Sequence, residues 1–151
     1  MDYSQLESFM REALAEAEKA LELGEVPVGA ILVRDGEVIS RAHNRREELG
    51  DPTAHAEILA IRRAARSLGT WRLARTTLFV TLEPCPMCAG ALVQARVDTV
   101  VFGARDPKAW GTLTVRDVAE NAAVNHQAKV ISGVLEEECQ AILRRFFQLR
   151  R

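Results

Sequence analysis

The chain has 151 residues, 48% of them hydrophobic and 27% charged, and this composition excludes a disordered or fibrous protein. Twenty Lys+Arg against 21 Asp+Glu give a net charge of −1, so the total charge gives no sign of a basic nucleic-acid-binding domain. The sequence shows no secretory signal at its N-terminus and no apolar run near the roughly 20 residues of a membrane span. We therefore expect a cytoplasmic protein that makes no contact with a membrane.

Hydrophobic periodicity predicts that helices and strands alternate along the chain. Ser4 and Glu7 form a capping-box signature for the first helix, and Asp35-Gly36 predicts a tight hairpin turn between the first two strands. The predicted elements are a helix over 4–24, strands over 28–33 and 37–42, a polar loop over 43–52, a helix opened by Thr53, a strand over 77–82, a helix over 84–95, a strand over 99–102, a loop over 103–111, a short helix near Asp117, a strand over 129–135 and a helix from Glu136 to the C-terminus.

This order of elements predicts the architecture. A hairpin pairs its strands antiparallel, whereas strands that are joined through helices tend to be parallel. We therefore expect an α/β fold in which a mixed five-stranded sheet lies between helices on both faces, a three-layer α/β/α sandwich. No repeat, low-complexity tract or linker interrupts the sequence, which predicts a single domain over residues 1–151.

Two segments place candidate metal ligands at the starts of predicted helices. The first, residues 51–57, reads DPTAHAE, and the second, residues 83–88, reads EPCPMC. They offer His55, Cys85 and Cys88 as nitrogen and sulfur donors, which zinc accepts in tetrahedral geometry. The positive ends of the helix dipoles also favour the cysteines as thiolates. Three protein ligands with an open fourth position are typical of a catalytic zinc site.

Glu57 lies two residues after His55. Residues i and i+2 do not share a helix face, so Glu57 is placed to reach a group bound beside the metal, where a proton shuttle is needed. The alternative is a structural zinc site closed by a fourth ligand such as His43 or His126, with Glu57 only favouring the helix start. The H-x-E…P-C-x-x-C pattern itself is the known signature of zinc-dependent deaminases.

The sequence resembles the bacterial tRNA adenosine deaminases over nearly its whole length. Besides the metal motif, the matching segments are residues 25–30, Asn44, residues 101–106, Asn125-His126, residues 133–135, Phe146-Phe147 and Arg150-Arg151. The metal motif alone identifies the wider superfamily of cytidine, cytosine and guanine deaminases, whereas the Val-Pro-Val-Gly segment and the Phe-Phe…Arg-Arg terminus are specific to the tRNA branch. Residues 109–114, AWGTLT, depart from the Gly-Ala-x-Gly-Ser stretch of that family.

The resemblance implies a cytidine deaminase-like fold and the hydrolysis of adenosine to inosine at the wobble position of a tRNA anticodon stem-loop. One zinc ion per subunit, held by His55, Cys85 and Cys88, would lower the pKa of its water to about 7 and supply the hydroxide that attacks C6. Glu57 would carry the water proton to N1 and later help the exocyclic amine to leave as ammonia. The family is usually homodimeric, so we also expect a homodimer.

The resemblance also implies substrate contacts. Asn44 would hydrogen-bond the adenine, and Val28 would form part of the pocket wall. Because the base must leave its stack to enter a pocket, an anticodon loop is a cheaper substrate than a duplex. The other implied substrate-binding residues are Ala56, Asp106, Lys108, Phe147 and Arg150.

Two other functions remain open. A deaminase of free guanine or cytosine shares the metal motif but does not need an aromatic and basic C-terminal helix. A noncatalytic, zinc-stabilised binding subunit predicts a closed metal site and indifference to the loss of Glu57. Arg41, Arg45 and Arg46 flank the proposed site together with the Arg-rich C-terminus, which favours a local basic face and a salt-sensitive affinity for tRNA.

The remaining candidates are interpreted as structural. Glu83 is expected to contact residues of the metal motif without binding the ion itself, and Cys139 is expected to pack in the core. His43 is expected to be exposed, and one of Phe146 and Phe147 to be buried, since adjacent helical residues cannot both face the core.

Overall fold

A computed structural model describes residues 1–110 and 114–150. Residues 111–113, which belong to the stretch 109–114 noted above, and Arg151 lie outside the described residues. Helices and strands alternate along this part of the chain as the sequence predicts. The described elements are α1 Tyr3–Glu22, β1 Gly29–Arg34, β2 Glu37–His43, α2 Arg46–Leu49, α3 Ala56–Leu68, β3 Thr76–Leu82, α4 Pro86–Ala95, β4 Thr99–Ala104, α5 Pro107–Trp110, α6 Val115–Ala119, β5 Lys129–Ile131 and α7 Glu136–Leu149.

The strands form a mixed sheet in the order β2-β1-β3-β4-β5, which comprises all the strands of the described residues. β1 pairs antiparallel with both β2 and β3, whereas β3, β4 and β5 run parallel. The prediction of a mixed five-stranded sheet is therefore confirmed within the described part of the chain. The carboxyl ends of β3 and β4 meet the start of β1 at one edge of the sheet, and this edge carries the site.

Helices cover both faces of the sheet. Successive side chains of its central strands point to opposite faces, and because they are apolar on both faces, each face needs a layer of helices to bury it. Leu32 and Val80 face a core that α3, α4 and α6 complete. Their neighbours Ile31 and Phe79 face a second core, completed by α1 and α7, in which Cys139 is fully buried. The three-layer α/β/α sandwich and the predicted burial of Cys139 are both confirmed.

Gly29 permits the close packing of α1 on β1. A Cβ atom at this position would lie 2.0 Å from the carbonyl oxygen of Ala13 and 2.5 Å from the backbone nitrogen of Ala17. No side chain fits at such distances, so glycine allows the helix to rest on the strand backbone. This packing fixes the start of β1, directly after the segment that contributes to the site.

The first helix begins earlier than predicted. Asp2, and not Ser4, is the N-cap: its side chain accepts the backbone N–H of Gln5 at 2.9 Å, and the Gln5 side chain accepts the N–H of Asp2 at 2.9 Å. The prediction that Ser4 and Glu7 form the capping box is therefore wrong. Both pairs have the required spacing, and the earlier pair extends the helix by about half a turn.

Further boundaries also differ from the predictions, and β4 extends to Ala104, two residues into the loop predicted over 103–111. The helix expected from Thr53 begins at Ala56, because Asp51 Oδ1 accepts both the backbone N–H (2.8 Å) and the hydroxyl (2.7 Å) of Thr53 and holds a turn. The last strand ends at Ile131, since Gly133 (φ 80°) and Leu135 (φ 52°) take left-handed conformations that no strand contains. The helix expected from residue 84 begins at Pro86, and the two predicted loops contain the short helices α2 and α5.

Candidate active site

The ends of several elements form one open pocket of about 170 Å³. Its walls come from the segment before β1, the loop after β2, the first turn of α3, and the segments that follow β3 and β4. The sequence-predicted residues that line it are Val28, Asn44, His55, Ala56, Glu57, Cys85 and Asp106. The fold thus brings seven of the predicted residues, far apart in sequence, into one concave surface.

His55, Cys85 and Cys88 form a group that could hold a metal ion, with all three ligand atoms within 4.8 Å of one another. His55 Nδ1 lies 3.7 Å from Cys85 Sγ and 3.5 Å from Cys88 Sγ. Zinc–nitrogen and zinc–sulfur bonds of ordinary length at a tetrahedral angle would separate the donor atoms by about 3.6 Å. The spacing of the donors therefore fits a tetrahedral ion.

The backbone explains why these donors converge. His55 and Cys85 are the N-cap residues of α3 and α4, with extended backbones (ψ 152° and 171°), and neither side chain makes a capping hydrogen bond. Cys88 occupies the third position of α4, where a side chain faces that of the N-cap. A single helix start therefore presents both sulfurs, and the neighbouring helix start presents the imidazole.

Neither of the alternative fourth ligands joins this group in the described part of the chain. His43 Nδ1 lies 3.1 Å from the carbonyl oxygen of Asn44, and His126 Nε2 lies 2.7 Å from that of Val97. His43 is half-buried by its position at the end of β2, so the prediction that it is exposed is wrong. The geometry favours an open site of three protein ligands over a closed structural one.

The electrostatics of the group favour a thiolate at Cys85. A hydrogen bond from Cys88, supported by His55, lowers the pKa of Cys85 from 9.0 to about 4. The same contact and burial raise the pKa of Cys88, and the hydrogen bond with Cys85 raises the pKa of His55. The two sulfurs therefore share one proton, which a bound cation would displace.

Glu57 lies in the first turn of α3 with only 3% of its surface exposed. Burial raises the pKa of its carboxyl group, although His55 and backbone hydrogen bonding oppose the shift. A carboxyl group in such surroundings can take up and return a proton at a pH well above that of an exposed glutamate. It lines the same pocket as His55 and Cys85.

Asn44 lines the same pocket and is buried. Its Nδ2 donates to the carbonyl oxygen of Val26 at 3.2 Å, and its Oδ1 accepts the backbone N–H of Arg46 at 3.3 Å. These two bonds fix the orientation of the amide. The sequence indicates the candidate but not these partners, which come from separate segments.

The other predicted RNA contacts lie outside this pocket. Lys108 is exposed on the short helix α5. Phe147 and Arg150 line a second concavity of about 210 Å³, which shares Val26, Asn44 and Arg46 with the first. Phe147 is 56% exposed whereas Phe146 is buried, so the expectation that one of the pair faces the core is confirmed.

Arg150 has partners within the chain. Its guanidinium donates to the carbonyl oxygen of Gly24 at 2.7 Å and lies 4.4 Å from the centre of the Phe146 ring. Two of the arginines expected to form a basic face are also engaged, since Arg41 pairs with Glu12 and Arg45 pairs with Glu48. The predicted basic face is therefore partly neutralised.

Four pocket residues were not predicted as substrate contacts: Val26, Arg46, Leu82 and Glu83. Val26 lies two residues before a predicted strand and Leu82 is the last residue of another, so the positions of the strand ends could have suggested both. Glu83 was expected to be structural, and it is buried with both carboxylate oxygens accepting backbone N–H groups. No sequence signal separates Arg46 from the neighbouring arginines.

A mixed sheet with helices on both faces, carrying a His/Cys/Cys group beside a buried glutamate, defines a deaminase with a cytidine deaminase-like fold. The family model for MafB19-like deaminases matches residues 4–151. A tRNA-specific adenosine deaminase of Bacillus subtilis (strain 168) is 57% identical over 145 residues, which cover 96% of this chain and 90% of that protein. The chain belongs to the family of tRNA-specific adenosine deaminases, and the resemblance seen in its sequence is confirmed.

Solved structures agree with this assignment. One comes from a study of A-to-I editing by tRNA:A34 deaminases at the wobble position of transfer RNA. It is 48% identical with a TM-score of 0.83, and the match covers 89% of this chain and 98% of the other chain. A guanine deaminase from Bacillus subtilis is 40% identical with a TM-score of 0.63, over 66% of this chain and 64% of its own.

In the described ranges, no helix combines the length and apolar character that crossing a bilayer requires.

Proposed function

We propose that this chain hydrolyses adenosine to inosine at the wobble position of a tRNA anticodon. The observation that carries the proposal is the buried Glu57 carboxyl group, which lines one pocket together with the His55 and Cys85 donors. A noncatalytic binding module has no need of a buried acid beside an open metal group. A single domain over residues 1–151 would contain the whole reaction centre.

We propose zinc as the resident ion, one per subunit, because an imidazole and two sulfurs at this spacing suit zinc better than magnesium or calcium. His55, Cys85 and Cys88 would hold it. When bound, the ion would supply Lewis-acid activation of the attacking water at neutral pH.

Glu57 moves the protons of the reaction. Its carboxylate takes a proton from the attacking water and delivers it to N1 of the adenine. It then takes the proton of the new C6 hydroxyl and passes it to the exocyclic amine, so that the C6–N bond breaks, C6=O forms and ammonia leaves. Asn44 orients the base through an amide that both donates and accepts, and Val28 and Ala56 supply apolar wall around it. The base would enter this pocket after it has left its stack.

The RNA around that base would lie across the second concavity. Phe147 offers an exposed ring on which a base can stack, and Arg46 lines both concavities. Asp106, Lys108 and Arg150 are the further contacts that we propose for flanking nucleotides. A free-base deaminase needs none of this surface. The surface therefore favours tRNA, and not free guanine or cytosine, as the substrate. We also propose that the protein is a homodimer and works in the cytoplasm.

The proposal is tested by measuring inosine in an anticodon stem-loop that carries adenosine at the wobble position. Free adenine, guanine and cytosine are assayed in parallel with the same zinc-loaded protein. We expect turnover of the stem-loop alone. Turnover of a free base without turnover of the stem-loop would identify a free-base deaminase, and zinc binding without any turnover would identify a noncatalytic subunit.

A further inference from the structure

Two side chains outside the proposed proton transfer fasten residues 105–110 to the Glu83-Pro84 segment. The Glu83 carboxylate, 2% exposed, accepts the backbone N–H of Asp106 through Oε1 at 3.1 Å and that of Val115 through Oε2 at 2.9 Å. The indole Nε1 of Trp110, which is 8% exposed, donates to the carbonyl oxygen of Pro84 at 2.8 Å. Each of these three bonds therefore has a buried side chain at one end.

These bonds join two parts of the site. Pro84 immediately precedes Cys85, and Asp106 lines the pocket. A backbone bond from Glu83 N–H to the carbonyl oxygen of Ala104, 2.7 Å long, completes the attachment. Hydrogen bonds of the Glu83 and Trp110 side chains thus fix the position of the wall that carries Asp106 relative to the segment that carries Cys85.

Hydrogen bonds in this position are strong determinants of conformation. A charged acceptor strengthens each bond, and a buried polar group that loses its partner is costly to leave unsatisfied. If either side chain is changed, the wall gains access to other arrangements in which Asp106 no longer faces the pocket in the same way. A substrate that needs the original arrangement then binds only the remaining fraction of molecules.

We propose that Glu83 and Trp110 are positioning residues, which hold the Asp106 wall in the arrangement that accepts the extruded nucleotide. The inference rests on the proposed function. It predicts an effect on substrate binding, not on metal retention or on the proton transfers of Glu57.

The first variant is Trp110→Phe, which keeps an aromatic ring and removes only the N–H donor. We expect KM for the anticodon stem-loop to rise roughly tenfold, which corresponds to about 1.4 kcal/mol and to the loss of one buried hydrogen bond. The value of kcat should stay within about threefold, since the reacting groups are untouched. The matched control is Trp71→Phe, the same change at a residue that is 58% exposed and does not line the pocket.

The second variant is Glu83→Gln, whose amide can accept one N–H but presents its own NH₂ to the other. Its KM should rise more than that of Trp110→Phe, and Glu120→Gln at the exposed C-cap of α6 is the control. Zinc content is measured for each protein and should remain that of the wild type. Amide hydrogen exchange at Asp106 and Val115 should accelerate in Glu83→Gln and remain unchanged in Glu120→Gln.

The outcomes separate this inference from the proposed function. Wild-type inosine formation tests the function, and the split between KM and kcat in the variants tests the positioning role. An active wild type with KM unchanged in both variants, or variants that lose zinc and kcat together, would overturn the positioning role. If the wild type is inactive on the stem-loop, the exchange of the Asp106 and Val115 amides still decides whether Glu83 fastens the wall. Trp110→Phe keeps the test usable if Glu83→Gln does not fold.

Discussion

Cys139 should make the stability of the protein decline at alkaline pH. Its side chain is fully buried between α7 and β4, and this burial, helped by Glu138 and Glu136, raises the pKa of the thiol from 9.0 to about 12. The folded protein therefore keeps the thiol protonated where the unfolded chain releases the proton. Because the pKa is higher in the folded state, the contribution of the protonated thiol to stability is complete below pH 9 and is lost as the pH rises toward 12.

The magnitude follows from the two pKa values. At pH 10 the ionisation of the unfolded thiol lowers the free energy of unfolding by about 1.4 kcal/mol, and at pH 11 by about 2.7 kcal/mol. The test compares urea unfolding of the wild type and Cys139→Ala between pH 7 and 11, at equal zinc loading. All other titrating groups are common to both proteins, so the difference between the two curves isolates Cys139.

We expect Cys139→Ala to be less stable at pH 7, because the lost sulfur leaves a small cavity under Gly103. The stability difference between the two proteins should then narrow by about 1.4 kcal/mol at pH 10. A difference that stays constant across this range would show that the Cys139 thiol titrates normally, and the account of α7 packing against β4 would be wrong.

Four further outcomes follow from the site and the core. Glu57→Gln should keep its zinc, measured by atomic emission, and lose at least about a hundredfold in kcat, the low end of general acid–base contributions. Cys88→Ala should lose both metal and activity. Gly29→Ala should lower the unfolding temperature, because its Cβ would meet the Ala13 carbonyl at 2.0 Å, whereas Gly90→Ala in α4 should be neutral or stabilising, because nothing lies within 4 Å. The value of kcat/KM on the stem-loop should fall as salt is added, since phosphate contacts release counterions.

Each of these has a result that contradicts it. Full activity in Glu57→Gln would remove the proposed proton carrier, and a zinc-replete Cys88→Ala would reject the ligand assignment. Equal unfolding temperatures for Gly29→Ala and Gly90→Ala would mean that α1 does not rest on the β1 backbone. A kcat/KM that is independent of salt would argue against phosphate contacts.

The sequence predicts most of the fold because its signals are local. Hydrophobic periodicity marks the helices and strands, and the Asp35-Gly36 turn specifies the hairpin. The boundaries fail where two local solutions compete: Asp2 with Gln5 satisfies the same cap pattern as Ser4 with Glu7, and only the folded chain shows which pair is used. The end of β5 depends on left-handed conformations at residues 133–135 that apolar composition does not reveal.

The site is predictable to the extent that it is a motif. The spacing of His55, Cys85 and Cys88 follows from two helix starts, so short segments suffice to propose the group. The supports of the pocket come instead from contacts between distant segments. Glu83 reaches residues 23 and 32 positions away, and Trp110 reaches Pro84 across 26 positions. Such partners depend on how the sheet brings the ends of β3 and β4 together.

The placement of His55 and Cys85 at N-cap positions links assembly of the fold to competence for reaction. A helix normally gains about 1 kcal/mol from a capping side chain, and α3 and α4 forgo that gain so that their first residues can act as donors. An ion bound there would join the two helix starts like a cross-link. A chain in which α3 and α4 are not docked keeps the two sulfurs at the start of α4 but lacks the imidazole beside them, so it would hold the ion with fewer ligands. A centre that holds its ion through all three ligands would therefore report that α3 and α4 are correctly docked.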